Sequence, residues 1–179
     1  MFDTLIKNGT IIDGTGRLRY DADLGIIGDE ISAIGQLKNA ETARIVDAKG
    51  LVIAPGFIDM HSHSDMSLFD DPGGESKVFQ GVTTEMVGID GISPVPFKNK
   101  SELERYIWLD SGANGYPPKS ADWLTVSELL GKYDNSVAIN IAYILGNGPV
   151  RIWGVGWNDR PATKNEMNNM KSVVRESLE

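Results

Sequence analysis

Hydrophobic and polar positions change rhythm once along this chain, near residue 55. Before that point, short runs of apolar character are separated by closely spaced turn dipeptides. Residues 2–7 and 10–12 flank Asn8-Gly9, a pair suited to the left-handed backbone of a two-residue hairpin, and Asp13-Gly14-Thr15-Gly16 marks a second turn. Residues 23–27 and 30–34 flank Gly28-Asp29 in the same way, and residues 44–47 and 51–54 bracket Lys49-Gly50. Strands this short, with turns this regular, predict a small antiparallel sheet unit.

From Pro55 onward the pattern predicts strands alternating with helices. Residues 56–63 form an apolar, partly alternating run; a loop and a helix around 75–80 follow, and 82–88 reads as the next strand, giving a βαβ unit. A long polar stretch with Pro94, Pro96, Pro117 and Pro118 then encloses a helix over 101–109, with Ser101 and Glu104 spaced as a capping box. Insertions of this length are more often functional than idle. Residues 126–133 predict another helix, and 136–145 is a nearly continuous apolar run of the kind buried in parallel sheets. Thr163 opens a last amphipathic helix, over 163–178, with Glu166 at its third position and Met167, Met170, Val173 or Val174, and Leu178 at helical spacing.

Composition narrows the class. The 179 residues are 41% hydrophobic, 8% aromatic and 23% charged, the balance of a globular chain that can bury a core. A net charge of −8 repels nucleic-acid phosphate and anionic lipid, so neither is an expected partner. Cysteine is absent, which removes disulfides, thiolate nucleophiles and cysteine zinc ligands. The N-terminus MFDTLIKNGTIIDG has neither the basic start nor the apolar stretch of a secretory leader, and no apolar run approaches the roughly 20 residues of a membrane span. The expectation is a soluble, cytoplasmic protein.

Chemistry concentrates in PGFIDMHSHSD, residues 55–65, which holds both histidines of the chain, His61 and His63. In a strand, residues two apart share a face, so Phe57, Asp59, His61 and His63 would point one way and Ile58 and Met60 the other. Both imidazoles would then emerge at the C-terminal end of a parallel strand, where such folds place their chemistry. Two imidazoles on one face suit Zn²⁺ and similar ions. Asp59, on that face, and Asp65, just past it, are candidate acceptors behind the ligands or contacts to substrate. On spacing alone, two hydrogen-bonded strand-end histidines account for the motif better than a metal pair does.

Order along the chain changes that balance. APGFIDMHSHSD (54–65), GVTTEMVGIDGISPVP (81–96), NIAYILGNGPVR (140–151) and RPAT (160–163) occur in a sequence of blocks that resembles the amidohydrolase superfamily, specifically its D-aminoacylase, or N-acyl-D-amino-acid deacylase, branch. The resemblance implies an α/β protein in which residues 1–54 are the N-terminal share of a small β-sandwich and residues 55–179 are the first strands and helices of a (β/α)8 TIM-like barrel, incomplete in this chain, since a barrel takes roughly 250 residues. It implies that His61 and His63 bind a divalent metal, Zn²⁺ first, as one or two ions that activate water and polarise the scissile carbonyl.

Two positions depart from that pattern. Asp90, in Gly88-Ile89-Asp90-Gly91, stands where these enzymes commonly carry a metal-bridging cysteine; it is either a harder, oxygen ligand or an Asx-turn residue between glycines. Asn147 stands where the family shows a histidine between two glycines, and an amide does not titrate as imidazole does. Arg151 keeps its matching place, as a substrate contact or as a surface ion-pair residue. The resemblance implies that the later histidine ligands and the aspartate acting as general acid/base lie beyond residue 179, and with no third histidine the full metal set is not expected from this chain alone.

The expected function is therefore that of a metal-dependent hydrolase of the N-acyl-D-amino acid amide bond, with this chain an N-terminal portion inactive alone. Its partners would be the small-molecule substrate and either the missing C-terminal half of the barrel or a second copy of itself. A dihydroorotase- or hydantoinase-like cyclic amidase and a non-catalytic relative are the alternatives. Trp108, Trp123, Trp153 and Trp157 read as core or rim packing rather than a binding cleft.

Overall fold

A computed structural model describes residues 1–115 and 121–178; Pro117 and Pro118 of the long insertion lie outside the described residues. The chain divides into two compact units, Met1–Pro55 and Gly56–Glu179.

The first unit is a sheet of five strands: β1 (Phe2–Ile11), β2 (Tyr20–Ile27), β3 (Glu30–Gly35), β4 (Thr42–Asp47) and β5 (Val52–Ile53). Their order is β3-β2-β1-β4, with β5 pairing β1 further along the same edge. Gly28-Asp29 makes the expected hairpin, since Ile27 pairs with Glu30 across an antiparallel ladder and Gly28 takes a φ of 61°.

The other two dipeptides do not make hairpins. Asn8-Gly9 lies inside one continuous strand, where the β1–β2 register shifts between Ile6 and Gly9. Asn8 takes a φ of 62°, donating its backbone N–H to Asp23 (3.0 Å) and its side-chain amide to Asp47 (2.9 Å). Gly9 lies flat under Ile53, whose Cδ1 would stand 2.3 Å from a Cβ there. This is a bulge held by distant residues, which a local dipeptide cannot announce. Lys49-Gly50 is likewise a step between β4 and β5, both of which run parallel to β1. The sheet is accordingly mixed, a correction to the antiparallel unit expected.

In the second unit β6 (Phe57–Asp59), β7 (Val82–Val87) and β8 (Asn140–Tyr143) form a parallel sheet in that order. Helices α1 (Ser67–Asp70) and α2 (Glu75–Val78) connect β6 to β7, and α3 (Lys100–Asn114) and α4 (Val126–Tyr133) connect β7 to β8. Helices α5 (Asn147–Val155) and α6 (Lys164–Glu176) follow. Both outer strands are shorter than the apolar runs that predicted them.

Helix α3 starts one residue earlier than expected and runs five residues further, to Asn114. Its cap is Asn99, which accepts from the Glu102 N–H at 3.0 Å, while Ser101 only donates its hydroxyl to that cap. Thr125 with Glu128, and Thr163 with Glu166, form full capping boxes at α4 and α6. Helix α5 is not among the elements that the sequence pattern predicts; Pro149 occupies its first turn, where a missing N–H costs nothing. Arg151 therefore sits inside a helix and not at a strand end.

A core of Met66, Leu68, Val95, Phe97, Leu103, Ile107, Trp123, Leu129 and Tyr133 fills the space under α3 and α4. Trp123 is buried and stacks on Phe69 with centroids 5.0 Å apart and planes 8° off parallel. Trp153 and Trp157 lie beneath Lys98 and Arg105, and Trp108 is exposed. All four are thus packing or rim residues. No helix among the described residues is long and apolar enough to cross a membrane.

Candidate metal centre

Asp59 ends β6. Its Oδ1 accepts the backbone N–H of His61 (3.1 Å), a local bond that competes with the sheet ladder and turns the chain out of extended pairing. His61 and His63 consequently stand on the turn beyond the strand, not on the strand face expected. The Ser62 N–H still reaches the Met86 carbonyl (3.1 Å), so the turn stays moored to β7.

The second half of the site is the turn after β7. Gly88 takes a φ of 76°, and a Cβ there would meet the Ile144 carbonyl oxygen at 2.0 Å, so only glycine lets β7 and β8 approach at this point. Asp90 itself is left-handed, with a φ of 57°, and Gly91 follows at 78°. The Ile92 N–H closes the turn on the Ile89 carbonyl (2.9 Å) and the Gly91 carbonyl accepts the Gly148 N–H (2.8 Å). Asp90 is thus a turn residue between glycines and also the source of a carboxylate aimed at the histidines.

These two turns bring three donors together. Asp90 Oδ2 lies 3.3 Å from His61 Nε2 and 3.3 Å from His63 Nε2. The ligand atoms of His61, His63 and Asp90 all fall within 4.8 Å of one another. The imidazole rings are 5.7 Å apart with planes 73° to one another, and each turns its Nε2 to the shared carboxylate. Two imidazole nitrogens and one carboxylate oxygen converging from two strand ends make a donor set that fits Zn²⁺ or a similar divalent ion and leaves coordination positions open.

Asp59, Asp65 and Arg151 bond to main-chain groups and not to the histidine rings. Asp65 is almost fully buried, accepts the Gly88 N–H at 3.1 Å, and its carboxyl is pushed up to about 6 by burial. The Tyr133 hydroxyl donates to the Asp65 carbonyl (2.7 Å), tying α4 to the same turn. Asp59 pairs with Lys77, whose ammonium holds that carboxyl below the usual carboxylate range. Neither carboxylate receives an imidazole N–H. Arg151 donates to the backbone carbonyls of Asn158 and Arg160, holding the loop ahead of α6. Asn147 opens α5 and is exposed.

Three supports escaped the sequence. Glu85, fully buried on β7, faces Lys77 Nζ at 3.2 Å and also receives the Ser64 hydroxyl. A lone acid within the strand VTTEMV was the available signal. Asn114 Oδ1 stands 2.7 Å from His63 Nδ1, and the amide of Asn114 in turn donates to Asp110. Burial raises the Asp110 carboxyl above its ordinary value. Nothing in the local sequence marks this pair.

Residues 44–178 match the amidohydrolase family. The D-aminoacylase of Alcaligenes xylosoxydans xylosoxydans is 36% identical over 177 residues, covering 99% of this chain and 36% of the relative. The crystal structure of N-acyl-D-glutamate deacylase from Bordetella bronchiseptica, complexed with zinc and a phosphonate inhibitor, superposes with a TM-score of 0.82 at 30% identity, covering 99% of this chain and 36% of that one. A D-aminoacylase structure with a binuclear metal centre superposes at 0.83 with 32% identity, over 99% and 36% of the two chains. The chain spans about a third of the length of the curated relatives it matches. By its sequence blocks, its parallel sheet and the breadth of this match, the chain belongs to the amidohydrolase family.

Proposed function

We propose that this chain carries the metal-binding start of an N-acyl-D-amino acid deacylase, with His61, His63 and Asp90 holding a divalent ion, Zn²⁺ in the first instance. The carrying observation is the convergence of their three donor atoms within 4.8 Å, from two separate turns at one end of a parallel sheet. The similarity to deacylases of N-acyl-D-amino acids, which runs over 99% of the chain, supports this substrate class over the cyclic amidases. On this reading the first unit belongs to a small sandwich and the second to a (β/α)8 barrel.

A divalent ion bound there supplies Lewis-acid polarisation of a carbonyl and a lowered pKa for water. The chain's own residues set the geometry around it. Asp65 and Gly88 hold the Asp90 turn against the histidine turn, and Lys77 with Asp59 holds the start of the histidine turn. Arg151 acts by fixing the loop at 158–160. Three donors leave the ion open to further ligands.

Equilibrium dialysis against Zn²⁺ with metal analysis tests the centre: the 179-residue chain retains the ion and His61→Ala or His63→Ala releases it. Retention of no divalent ion by the folded chain would sink the reading. For the substrate class, the natural polypeptide carrying these residues is expected to hydrolyse N-acyl-D-amino acids and to leave hydantoins and dihydroorotate untouched; the reverse preference replaces it with the cyclic-amidase reading.

A further inference from the structure

We infer that Asn114, oriented by Asp110, is a positioning residue that sets the tautomer of His63 and so makes its Nε2 available as a ligand. This rests on the metal-centre reading for its purpose, but the tautomer itself is a property of the chain that can be observed without metal.

The geometry is specific. Asn114 is 2% exposed and stands at the C-terminal end of α3, its side-chain oxygen 2.7 Å from His63 Nδ1. A primary amide presents either an oxygen that accepts or an NH2 that donates, and its neighbours fix which way it turns. Asp110 decides it. Four residues earlier on the same helix face, its carboxylate contacts the Asn114 amide nitrogen, and an ionised carboxylate only accepts, so the NH2 must point to Asp110 and the oxygen to His63. The imidazole nitrogen opposite that oxygen must then carry a hydrogen. Asp90 Oδ2 faces Nε2 as well, but at 3.3 Å and from a carboxylate 53% exposed to water, against 2.7 Å to the buried Asn114 amide, so the Asn114 side decides: the neutral ring carries Nδ1–H and keeps the lone pair on Nε2.

The main chain reinforces the side chain. The Asn114 carbonyl accepts the Met66 N–H at 3.1 Å, so one residue grips the histidine turn twice. Immediately afterwards Gly115, at a φ of 94°, passes Ser67 so closely that a Cβ would lie 3.0 Å from its backbone nitrogen. The end of α3 is thus seated directly on the turn that carries the ligand. Ligating histidines are held in this manner by an acceptor on the far ring nitrogen, and loss of that acceptor typically costs about 10- to 100-fold in metal affinity.

The test reads the tautomer first, on the metal-free chain with 15N-labelled histidine, by two-bond nitrogen–carbon proton correlation at a pH where the ring is neutral. The expected wild-type result is Nδ1–H for His63. Asn114→Ala should give a mixture dominated by Nε2–H, the form favoured in free imidazole side chains, and Asp110→Ala should give a mixture too, because the amide is then free to turn. Zn²⁺ titration of the same proteins should show a loss of about 10- to 100-fold in affinity. The exchange Asp110→Asn with Asn114→Asp keeps the net charge and an acceptor at 114 facing His63 Nδ1–H, while reversing the bond between the two positions, and should restore both the tautomer and the affinity. An Nε2–H tautomer in the wild type overturns the inference, even if every variant misfolds. So does an unchanged tautomer in Asn114→Ala. Failure of the wild type to bind Zn²⁺ while His63 remains Nδ1–H would instead overturn the metal-centre reading and leave the positioning intact.

Discussion

Asp90 Oδ2 stands 3.3 Å from His63 Nε2, so a carboxylate on the turn after β7 meets an imidazole on the turn after β6. The meeting is not a consequence of strand pairing, because both residues lie beyond the strands that carry them. It depends on two local devices, the Asp59 bond to the His61 N–H and the left-handed backbone at Asp90.

Removing the carboxylate should therefore separate metal binding from folding. Asp90→Ala deletes one of three donors without touching the core and is expected to lower Zn²⁺ affinity by about tenfold or more, with thermal stability of the metal-free chain nearly unchanged. Asp90→Cys replaces a hard oxygen by a soft thiolate and should shift preference toward Zn²⁺ and Cd²⁺ over Mn²⁺. Competition titrations with these three ions check both, and an unchanged preference order in the cysteine variant would count against Asp90 as a ligand.

Lys77 supplies the second prediction. It is the cation between Asp59 and Glu85, and Glu85 is fully buried. Lys77→Met strands that carboxylate without a counter-charge and is expected to destabilise the fold by about 3–5 kcal/mol. Replacing both residues, Lys77→Met with Glu85→Leu, should recover most of the loss. Urea denaturation of the single and double variants decides; a single variant as stable as wild type would mean that Glu85 is held by the hydroxyls of Ser62 and Ser64 alone.

Two neighbouring glycines separate backbone strain from crowding. At Gly91 (φ 78°) the space for a Cβ is open to 3.9 Å, so Gly91→Ala should cost only the conformational strain, about 1 kcal/mol. At Gly88 the same substitution adds a clash with the Ile144 carbonyl, and the cost should rise to about 3 kcal/mol or more, with loss of the β7–β8 end contact. Equal midpoints for the two variants would show that β8 yields to the added methyl group.

Acid should loosen α6 in a defined direction. The Arg160 guanidinium, the Thr163 backbone N–H and the Thr163 hydroxyl hold the Glu166 carboxyl well below its usual 4.5. A depressed folded pKa means that the capping contribution is complete above 4.5 and is lost as pH falls through the lower folded value. NMR titration of the Glu166 side-chain carboxyl should give a midpoint well below 4.5, and Arg160→Ala should move it upward, so that fraying of α6 begins at higher pH. A midpoint near 4.5 in the wild type would remove Arg160 as a cap partner.

What could be read from the sequence follows the range of the forces involved. Thr163 and Glu166 reveal the start of α6 because a capping box is complete within four residues. The hairpin at Gly28-Asp29 is equally local. Asn8-Gly9 misleads because a bulge and a hairpin demand the same left-handed backbone, and the residues that choose between them, Asp23, Asp47 and Ile53, are remote. The histidine pair and Asp90 were visible as candidates through their sequence context. Asn114 was not, because only the tertiary seating of α3 on the histidine turn gives it a function.

The Lys77 bridge has one further consequence. Asp59 and Glu85 are direct partners in the parallel ladder between β6 and β7. A slip of either strand by one residue would turn one of these carboxylates to the opposite side of the sheet, out of reach of a lysine fixed on α2. A three-residue strand such as β6 has few ladder bonds to specify its own alignment. The lysine therefore acts as a gauge block between neighbouring strands, and it guards the alignment on which the histidine turn depends.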